Sequence, residues 1–423
     1  MEILSSYNVI IGTSLIIILS FIFNGIAKRT NIPSVLMLII LGIGLQYFIK
    51  YFAEKELNFF PILEVLGIVG LIMIVLEAAL ELELKKEKIL PIIKALAIAL
   101  IGLLASAWVA AHILMFFIPD MTTISAWLYA TPLSILSSAI IIPSVKELVE
   151  DKREFHIYES TFSDILGIIM FYYLADKIGS AKDDTFLAFS WSILITLIIS
   201  LAASYIIIFI FQKIKTQAKL FLLIAILLLL YSLGKKMHLS SLIIILIFGL
   251  VIANMKLFFS GKLSKYLYYE KAHQIYNELH ILTRETAFVV RTFFFVIFGI
   301  TIVVQSLWDV NVALISLLII LSIYLIRFVL LRIFLGKDII PQLFIAPRGL
   351  ITVLLFYAIP EQAQTEGFEP GVLLFVILGT SLIMTAAMIY DKKRAGKYIG
   401  IAESNKIGTA KYKVPSIEDI KEQ

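Results

Sequence analysis

Residues 155–175 read FHIYESTFSDILGIIMFYYLA, an apolar stretch of bilayer-spanning length that contains two carboxylates, Glu159 and Asp164. A charged side chain at bilayer depth costs roughly 2.5–3.5 kcal/mol on insertion scales, so such residues mark functional sites. At 3.6 residues per turn, Glu159 stacks under Ser163 and Ser160 under Asp164, which predicts one polar helical face. Hard oxygen groups of this kind suit a small alkali cation or a proton, and they suit no soft metal.

The composition of the whole chain is that of a polytopic membrane protein. Of its 423 residues, 60% are apolar and 16% are charged, whereas soluble proteins have roughly 25% charged residues. At about 20 residues per crossing, this supplies roughly 12 or 13 spans and leaves little for another domain. The net charge of +5 comes from short basic clusters between apolar runs, which indicates membrane orientation rather than nucleic-acid binding. The absence of cysteine excludes a disulfide framework, a thiolate metal site and a cysteine nucleophile.

The apolar runs predict an all-α membrane protein with thirteen transmembrane helices. Their approximate bounds are 8–27, 32–49, 61–81, 89–118, 124–145, 155–175, 186–211, 219–234, 239–255, 279–304, 310–334, 339–359 and 371–390. The loops on one side carry 17 lysines and arginines and those on the other carry six. The positive-inside rule therefore predicts an outside N-terminus and a cytoplasmic C-terminus. Residues 1–390 are expected to form one membrane domain, and residues 391–423 are expected to form a short cytoplasmic tail.

Two spans contain proline at membrane depth. The fifth reads TPLSILSS over residues 131–138 and continues to Pro143, and the twelfth contains Pro341 and Pro347. Proline removes a backbone donor and frees carbonyl groups. Unwound backbone at this depth is tolerated where it lines a binding cavity, so both spans are expected to be interrupted.

Arginines within spans need buried partners. Arg327 is too central in its span to reach the surface easily, and Glu159 and Asp164 are the convincing anions for it. The alternative is that Arg327 extends toward the inner surface beside Arg332. Arg291 follows Arg284 and Glu285 in the tenth span, and these three residues are expected to pair among themselves.

These residues resemble the monovalent cation:proton antiporters, a family that includes bacterial NhaP-type sodium/proton antiporters and mammalian sodium/proton exchangers. Residues 159–164 match the family's Glu-Ser-x-x-Asn-Asp stretch except at Ser163, and Arg327 and Arg348-Gly349 match in the eleventh and twelfth spans. The fifth span departs from the pattern. Many members have Thr-Asp-Pro there, whereas residues 136–138, Leu-Ser-Ser, are closer to the Ser-Ser-Thr of the potassium-efflux antiporters.

The resemblance implies a homodimer of thirteen-span protomers with inverted repeats, in which dimerisation and core subdomains are interleaved and the two unwound spans cross. It implies that Asp164 binds a cation or a proton, never both, while Arg327 neutralises Glu159, so that exchange is electroneutral. The implied ion-binding residues are Asp164, Ser163, Ser160, Glu159, Ser137 and Ser138. The arginines implied in ion pairing or charge compensation are Arg327, Arg348 and Arg291. No cofactor is expected, and the location is the inner cell membrane.

The function predicted on this basis is exchange of Na⁺, or alternatively Li⁺ or K⁺, for H⁺ by alternating access. A K⁺/H⁺ antiporter of the potassium-efflux type and a non-transporting sensor on the same fold remain open. A channel would need a polar pore or a filter loop, which the sequence does not show. An intramembrane protease would need paired carboxylates or a base beside a serine. Only Asp164 is mid-span, and no histidine is placed beside a span serine.

Overall fold

The computed structural model describes residues 6–30, 32–52, 60–82, 84, 86–145, 148–179, 185–214, 219–236, 241–259, 269–302 and 304–409. Regular structure in these ranges is entirely helical, as expected where the bilayer leaves backbone groups no partner except one another. The α-helices are α1 (Ser6–Thr30), α2 (Ser34–Phe52), α3 (Phe60–Glu81), α4 (Ile89–Phe117), α5 (Thr123–Ser134), α6 (Ser138–Ser144), α7 (Glu150–Gly179), α8 (Thr185–Phe211), α9 (Lys219–Lys236), α10 (Ser241–Ala253), α11 (Met255–Phe258), α12 (Tyr269–Thr301), α13 (Val310–Phe334), α14 (Leu350–Tyr357) and α15 (Gly371–Thr409).

The helices confirm the predicted membrane architecture. Twelve of the thirteen predicted spans coincide with a helix or, in the fifth span, with the pair α5 and α6. In the twelfth, the first half lacks α-helix and only Leu350–Tyr357 forms α14. Within the described ranges, seven helical segments are long and apolar enough to cross a membrane by length and composition alone. The protein is therefore a multi-pass membrane protein.

Two helices extend ten or more residues beyond the predicted spans. α12 starts at Tyr269, ten residues before the predicted start at 279, and its buried Ala272, Ile275 and Leu279 recur at helical spacing. This segment is amphipathic, so a search for apolar runs does not detect it. α15 continues to Thr409, so the segment from 391, predicted as a short tail, begins as a continuation of the last helix. Residues 410–423 lie outside the described residues.

The helices pack as two bundles. In the scaffold bundle, α12 packs mainly against α2 and α3, and α10 packs against α3, α8 and α9. In the core bundle, α4 packs against α5, α7 and α13, α7 also contacts α5 and α6, and α13 packs against α15. α14 belongs to the core bundle through α5 and contacts the scaffold bundle through α3. Contacts between the bundles are much less extensive than those within them.

The scaffold bundle is held by direct backbone contact between α2 and α12. A Cβ atom at Gly42 would lie 2.2 Å from the carbonyl oxygen of Val296, and one at Gly299 would lie 2.4 Å from that of Ile39. Apolar burial gives little driving force between helices in lipid, so close packing of small residues supplies much of the association. These two glycines permit that approach.

Both proline-containing spans are interrupted, as predicted. The fifth span breaks at residues 135–137, between α5 and α6, and the twelfth is non-helical over residues 345–349, before α14 begins. The Ser137 N–H donates a hydrogen bond to the Pro347 carbonyl oxygen at 2.9 Å. The two breaks therefore meet inside the core bundle.

Candidate ion-binding site

The carboxylates of α7 lie on different sides of the helix. Glu159 and Asp164 are buried, with 1% and 3% of their surfaces exposed. Glu159 lies beside α13, whereas Asp164 lines a cavity with residues of α3 and α10. The predicted single face is therefore wrong for the two carboxylates, because five residues advance a helix by about 500°, which separates them by roughly 140°.

Glu159 is fully engaged by Arg327. The Arg327 Nη1 and Nη2 groups donate to Oε1 and Oε2 of Glu159 at 2.6 and 2.9 Å, and Nε donates to the Gln342 carbonyl oxygen at 3.0 Å. The His156 Nδ1 atom lies 3.4 Å from Oε2. A bidentate arginine–carboxylate pair satisfies both charged groups. It ties α7 to α13 and to the segment before the second break.

Arg348 lies where the two breaks meet. Its side chain is buried, and Nε and Nη1 each donate at 2.8 Å, to the carbonyl oxygens of Leu133 and Ala346 respectively. Leu133 lies in the last turn of α5, where carbonyl groups lack helical partners and carry partial negative charge. Arg348 thus compensates the helix terminus that the interruption creates.

Three of the predicted ion-binding serines form hydrogen bonds within the protein. The Ser163 hydroxyl oxygen accepts a hydrogen bond from the Leu136 N–H at 3.0 Å, in the first break. The Ser160 hydroxyl donates to the His156 carbonyl oxygen at 2.7 Å. Ser137 bonds Pro347 through its backbone, and its hydroxyl oxygen would lie 2.5 Å from a Cβ atom at Gly349. Gly349 therefore permits the close approach of the two breaks.

Asp164 is the carboxylate left without a firm partner. Among the residues that the structure describes, neither of its side-chain oxygens completes a hydrogen bond. The hydroxyl and the N–H of Ser138 lie close enough to interact with the carboxylate. A buried polar atom without a partner costs about 1–3 kcal/mol, and a charged one costs more. This cost makes Asp164 the candidate carboxylate of the site.

Asp164 faces a small cavity between the two bundles. The cavity has a volume of about 20 Å³, and its wall combines Thr161 and Asp164 of α7 with apolar residues of α3 and α10. Thr161 and the scaffold residues were missed by sequence reasoning. Thr161 occupies a free position of the motif, and the contact of α10 with α7 joins segments about 80 residues apart, for which the sequence gives no signal.

A larger cavity of about 470 Å³ leads toward this site. Its wall includes Ser138 and Ala78, and Ala78 also borders the Asp164 cavity. The larger cavity is lined by both apolar and charged side chains, among them Glu77, Glu81 and Arg284. A cavity with charged side chains and the cavity beside Asp164 therefore share Ala78 in their walls.

Arg291 pairs with an unexpected residue. Its Nη2 group lies 3.3 and 3.2 Å from the carboxylate oxygens of Glu77 in α3, and Nη1 donates to the Ala139 carbonyl oxygen of α6 at 3.1 Å. The predicted grouping of Arg291 with Arg284 and Glu285 is wrong in this respect. The packing of α12 against α3 supplies a carboxylate more than 200 positions away in the chain, so a local search along the sequence could not find it.

Comparison with known families and structures identifies the family and the fold. Residues 14–389 match the family described as sodium/hydrogen exchanger, transmembrane. The chain belongs to the sodium/hydrogen exchanger family. Membership supports cation/proton antiport, with a cation and a proton as substrates.

Two solved structures of the sodium proton antiporter MjNhaP1 from Methanocaldococcus jannaschii share the fold. The structure at pH 8 has a TM-score of 0.67 and 20% identity, over 91% of this chain and 99% of that chain. An electron-microscopy map of the same antiporter gives a TM-score of 0.65 and 18% identity, over 98% of this chain and 100% of that chain. At these identities the likeness establishes the fold alone. Comparison with curated protein sequences gives no significant match.

Proposed function

We propose that this exchanger-family protein moves one monovalent cation, most readily Na⁺, against one proton at Asp164. The observation that carries the proposal is the buried Asp164 carboxylate, which lacks a hydrogen-bond partner among the described residues and lies beside the meeting point of two interrupted helices. Desolvation favours the neutral form of a carboxylate, and a nearby cation favours the ionised form. The two ligands therefore compete for one group, and this competition gives exchange.

The remaining charged groups act as fixed scaffolding in this mechanism. Glu159 is held by Arg327, and Arg348 is held by carbonyl oxygens, so neither binds or releases a proton during the cycle. Ser138 is the neighbour of Asp164 that supplies an oxygen ligand to the cation. The hydrogen bonds of Ser137, Ser160 and Ser163 hold the surrounding backbone in place. We assign the direct cation contacts to Asp164 and Ser138, and a positioning role to the other serines and to Glu159.

Access alternates, in this proposal, by movement of the core bundle against the scaffold bundle. The limited contact between the bundles and the position of the Asp164 cavity at their boundary support this assignment. The scaffold bundle would form the homodimer, and the inner cell membrane, with the N-terminus outside, is the proposed location. In this orientation the residues that line the 470 Å³ cavity lie toward the cytoplasmic side, which supports an inward-facing arrangement within the proposed cycle.

Reconstituted vesicles test the exchange. Vesicles with an acidic interior and a pH-sensitive dye should lose their proton gradient when Na⁺ is added outside, and Li⁺ and K⁺ added in turn give the selectivity. Asp164→Asn should abolish this flux while the protein still inserts and dimerises, because an amide cannot release a proton. Flux retained in Asp164→Asn would remove Asp164 from the mechanism. Wild-type protein without flux for any cation would indicate a sensor, and a cation current without proton movement would indicate a channel.

Electroneutrality has its own test. If each half-cycle carries one positive charge, either Na⁺ or H⁺, the charges moved in the two directions cancel. The membrane potential is worth about 2.3 kcal/mol per charge per 100 mV, but it then does not drive exchange. Rates measured at clamped potentials should then be equal. The clamp uses valinomycin, provided K⁺ is not a substrate. A voltage-dependent rate would require a second titrating group, and Glu77 beside the larger cavity is the first to substitute.

A further inference from the structure

Thr161 is a buried hydroxyl whose hydrogen-bonding capacity is unused. Thr161 is fully buried, and its Oγ1 atom has no hydrogen-bond partner in the described part of the chain. Hydroxyl groups in helices commonly bond the carbonyl oxygen one turn earlier. Thr131, Ser134 and Ser160 do so here, at 2.7, 2.9 and 2.7 Å. Thr161 differs from them in leaving its oxygen free.

Thr161 lines the cavity beside Asp164. Thr161 precedes Asp164 by three residues, so the two side chains are neighbours on one side of α7. The rest of the wall is apolar and comes from Val75 and Ala78 of α3, Ile165 and Ile168 of α7, and Leu242, Ile243 and Leu246 of α10. A volume of about 20 Å³ is enough for one water-sized guest, since about 10–15 Å³ suffices. Thr161 and Asp164, whose three side-chain oxygens have no hydrogen-bond partner among the described residues, therefore border a space large enough for a single small ion.

We propose that Thr161 is a ligand of the cation bound at Asp164 and contributes to cation selectivity. The inference rests on the proposed function and deepens it. A hydroxyl oxygen is a hard, neutral ligand that can accept a cation, and the same group can donate or accept a hydrogen bond when Asp164 is protonated. Small cations interact more strongly with each oxygen ligand. Loss of the hydroxyl should therefore weaken Li⁺ and Na⁺ binding more than K⁺ binding.

The test compares Thr161→Val with Thr161→Ser. Valine keeps the shape and removes the oxygen, whereas serine keeps the oxygen. Thr283→Val is the matched control, because Thr283 is also a buried threonine without a hydroxyl partner among the described residues but lies in α12 and does not line the Asp164 cavity. If valine prevents folding, Thr161→Ala provides a second hydroxyl-free variant.

Two readouts are measured for each variant: KM for Li⁺, Na⁺ and K⁺ in vesicles, and the shift in Tm that each cation causes in the purified protein. Thr161→Val should raise KM for Na⁺ on the order of tenfold, with a larger change for Li⁺ than for K⁺ and a matching loss of cation-induced stabilisation. Thr161→Ser and Thr283→Val should behave like the wild type.

Two results overturn the role of Thr161. One is an unchanged KM in Thr161→Val, and the other is a change by the same factor for all three cations, which would mean that the hydroxyl acts on Asp164 alone. A wild-type protein that shows neither flux nor cation-induced stabilisation contradicts the proposed function itself. The failure of the Thr161 inference is thus distinguishable from that of the proposed function.

Discussion

Ser163 occupies the position at which the family motif has asparagine. In the structure its side chain stabilises the backbone of the interrupted fifth span. Its hydroxyl oxygen accepts the Leu136 N–H, one of the backbone donors that the interruption of the fifth span leaves without a helical partner. The side chain is buried, so this bond is shielded from bulk solvent. Ser163 therefore fixes the backbone immediately before Ser137 and Ser138, next to the Asp164 carboxylate.

Ser163→Asn should keep exchange, because a carboxamide oxygen can accept the same N–H. Ser163→Ala leaves that N–H buried without an acceptor and should cost about 1–3 kcal/mol, seen as a lower Tm in detergent and slower exchange. Thermal unfolding and vesicle flux, measured on both variants, check this. An asparagine variant that folds normally but does not transport would show that this turn is wrongly aligned with the family motif.

At the residue scale, the sequence predicts what is local to a single helix. The mid-membrane position of Asp164 follows from its place in an apolar run, because the cost of burying charge leaves few such residues. The partner of Arg291 does not follow from the sequence, since Glu77 comes from another helix. The free hydroxyl of Thr161 does not follow from the sequence either, because the pattern of side chains alone does not show which hydroxyl groups bond the backbone of their own helix.

At the scale of elements, the Glu159–Arg327 pair joins α7 to α13. Removing one partner leaves an uncompensated buried charge, which typically costs about 3–5 kcal/mol. Glu159→Ala and Arg327→Ala should each lower stability strongly, and the double variant should lose less than the sum of the two. A double-mutant cycle on stability in detergent gives the coupling energy directly.

The pair Lys152 and Asp338 is the control for this cycle. Its atoms are 2.9 Å apart, but 77% of the Asp338 side chain is exposed, so its coupling should lie within about 0–1 kcal/mol. If the stability loss of the double variant instead equals the sum of the losses of Glu159→Ala and Arg327→Ala to within roughly 0.5 kcal/mol, the two side chains do not meet in the protein. The charge count behind electroneutral exchange would then have to be revised.

The prolines indicated which spans are interrupted, although Pro132 and Pro143 lie within α5 and α6 and not in the break between them. Pro132, Pro143 and Pro347 mark both affected spans in the sequence. The ends of α12 and α15 were not predictable in this way. Polar helical extensions outside the membrane lack the apolar run by which a span is detected, and their length depends on packing and on helix propensity.

At the scale of the molecule, the arrangement of two bundles predicts where a link between helices stops transport. Gly67 of α3 and Leu354 of α14 touch across the bundle boundary, and a Cβ atom at Gly67 would lie 2.4 Å from Leu354 Cδ2. The chain has no cysteine that could react with a cross-linker. In the double variant Gly67→Cys, Leu354→Cys, a short reducible cross-linker therefore joins only the two introduced cysteines. Linking should abolish exchange, and reduction should restore it.

A link within one bundle is the matched control. Gly102 of α4 and Leu330 of α13 both belong to the core bundle, and a Cβ atom at Gly102 would lie 3.5 Å from Leu330 Cδ1. The doubly substituted Gly102→Cys, Leu330→Cys protein should transport whether linked or not. If the link across the boundary leaves the rate unchanged, movement of one bundle against the other is not the transport step.

If Na⁺ and H⁺ compete for Asp164, the binding of Na⁺ releases a proton. The number of protons released when Na⁺ binds therefore measures this competition most directly. Saturating Na⁺ is added to weakly buffered, purified protein with a pH indicator, and choline chloride serves as the control. Released protons should approach one per protomer as the starting pH is lowered, because the protonated fraction of Asp164 rises, and Asp164→Asn should release none. Binding of Na⁺ without proton release at any pH, or equal release from Asp164→Asn, would contradict the account.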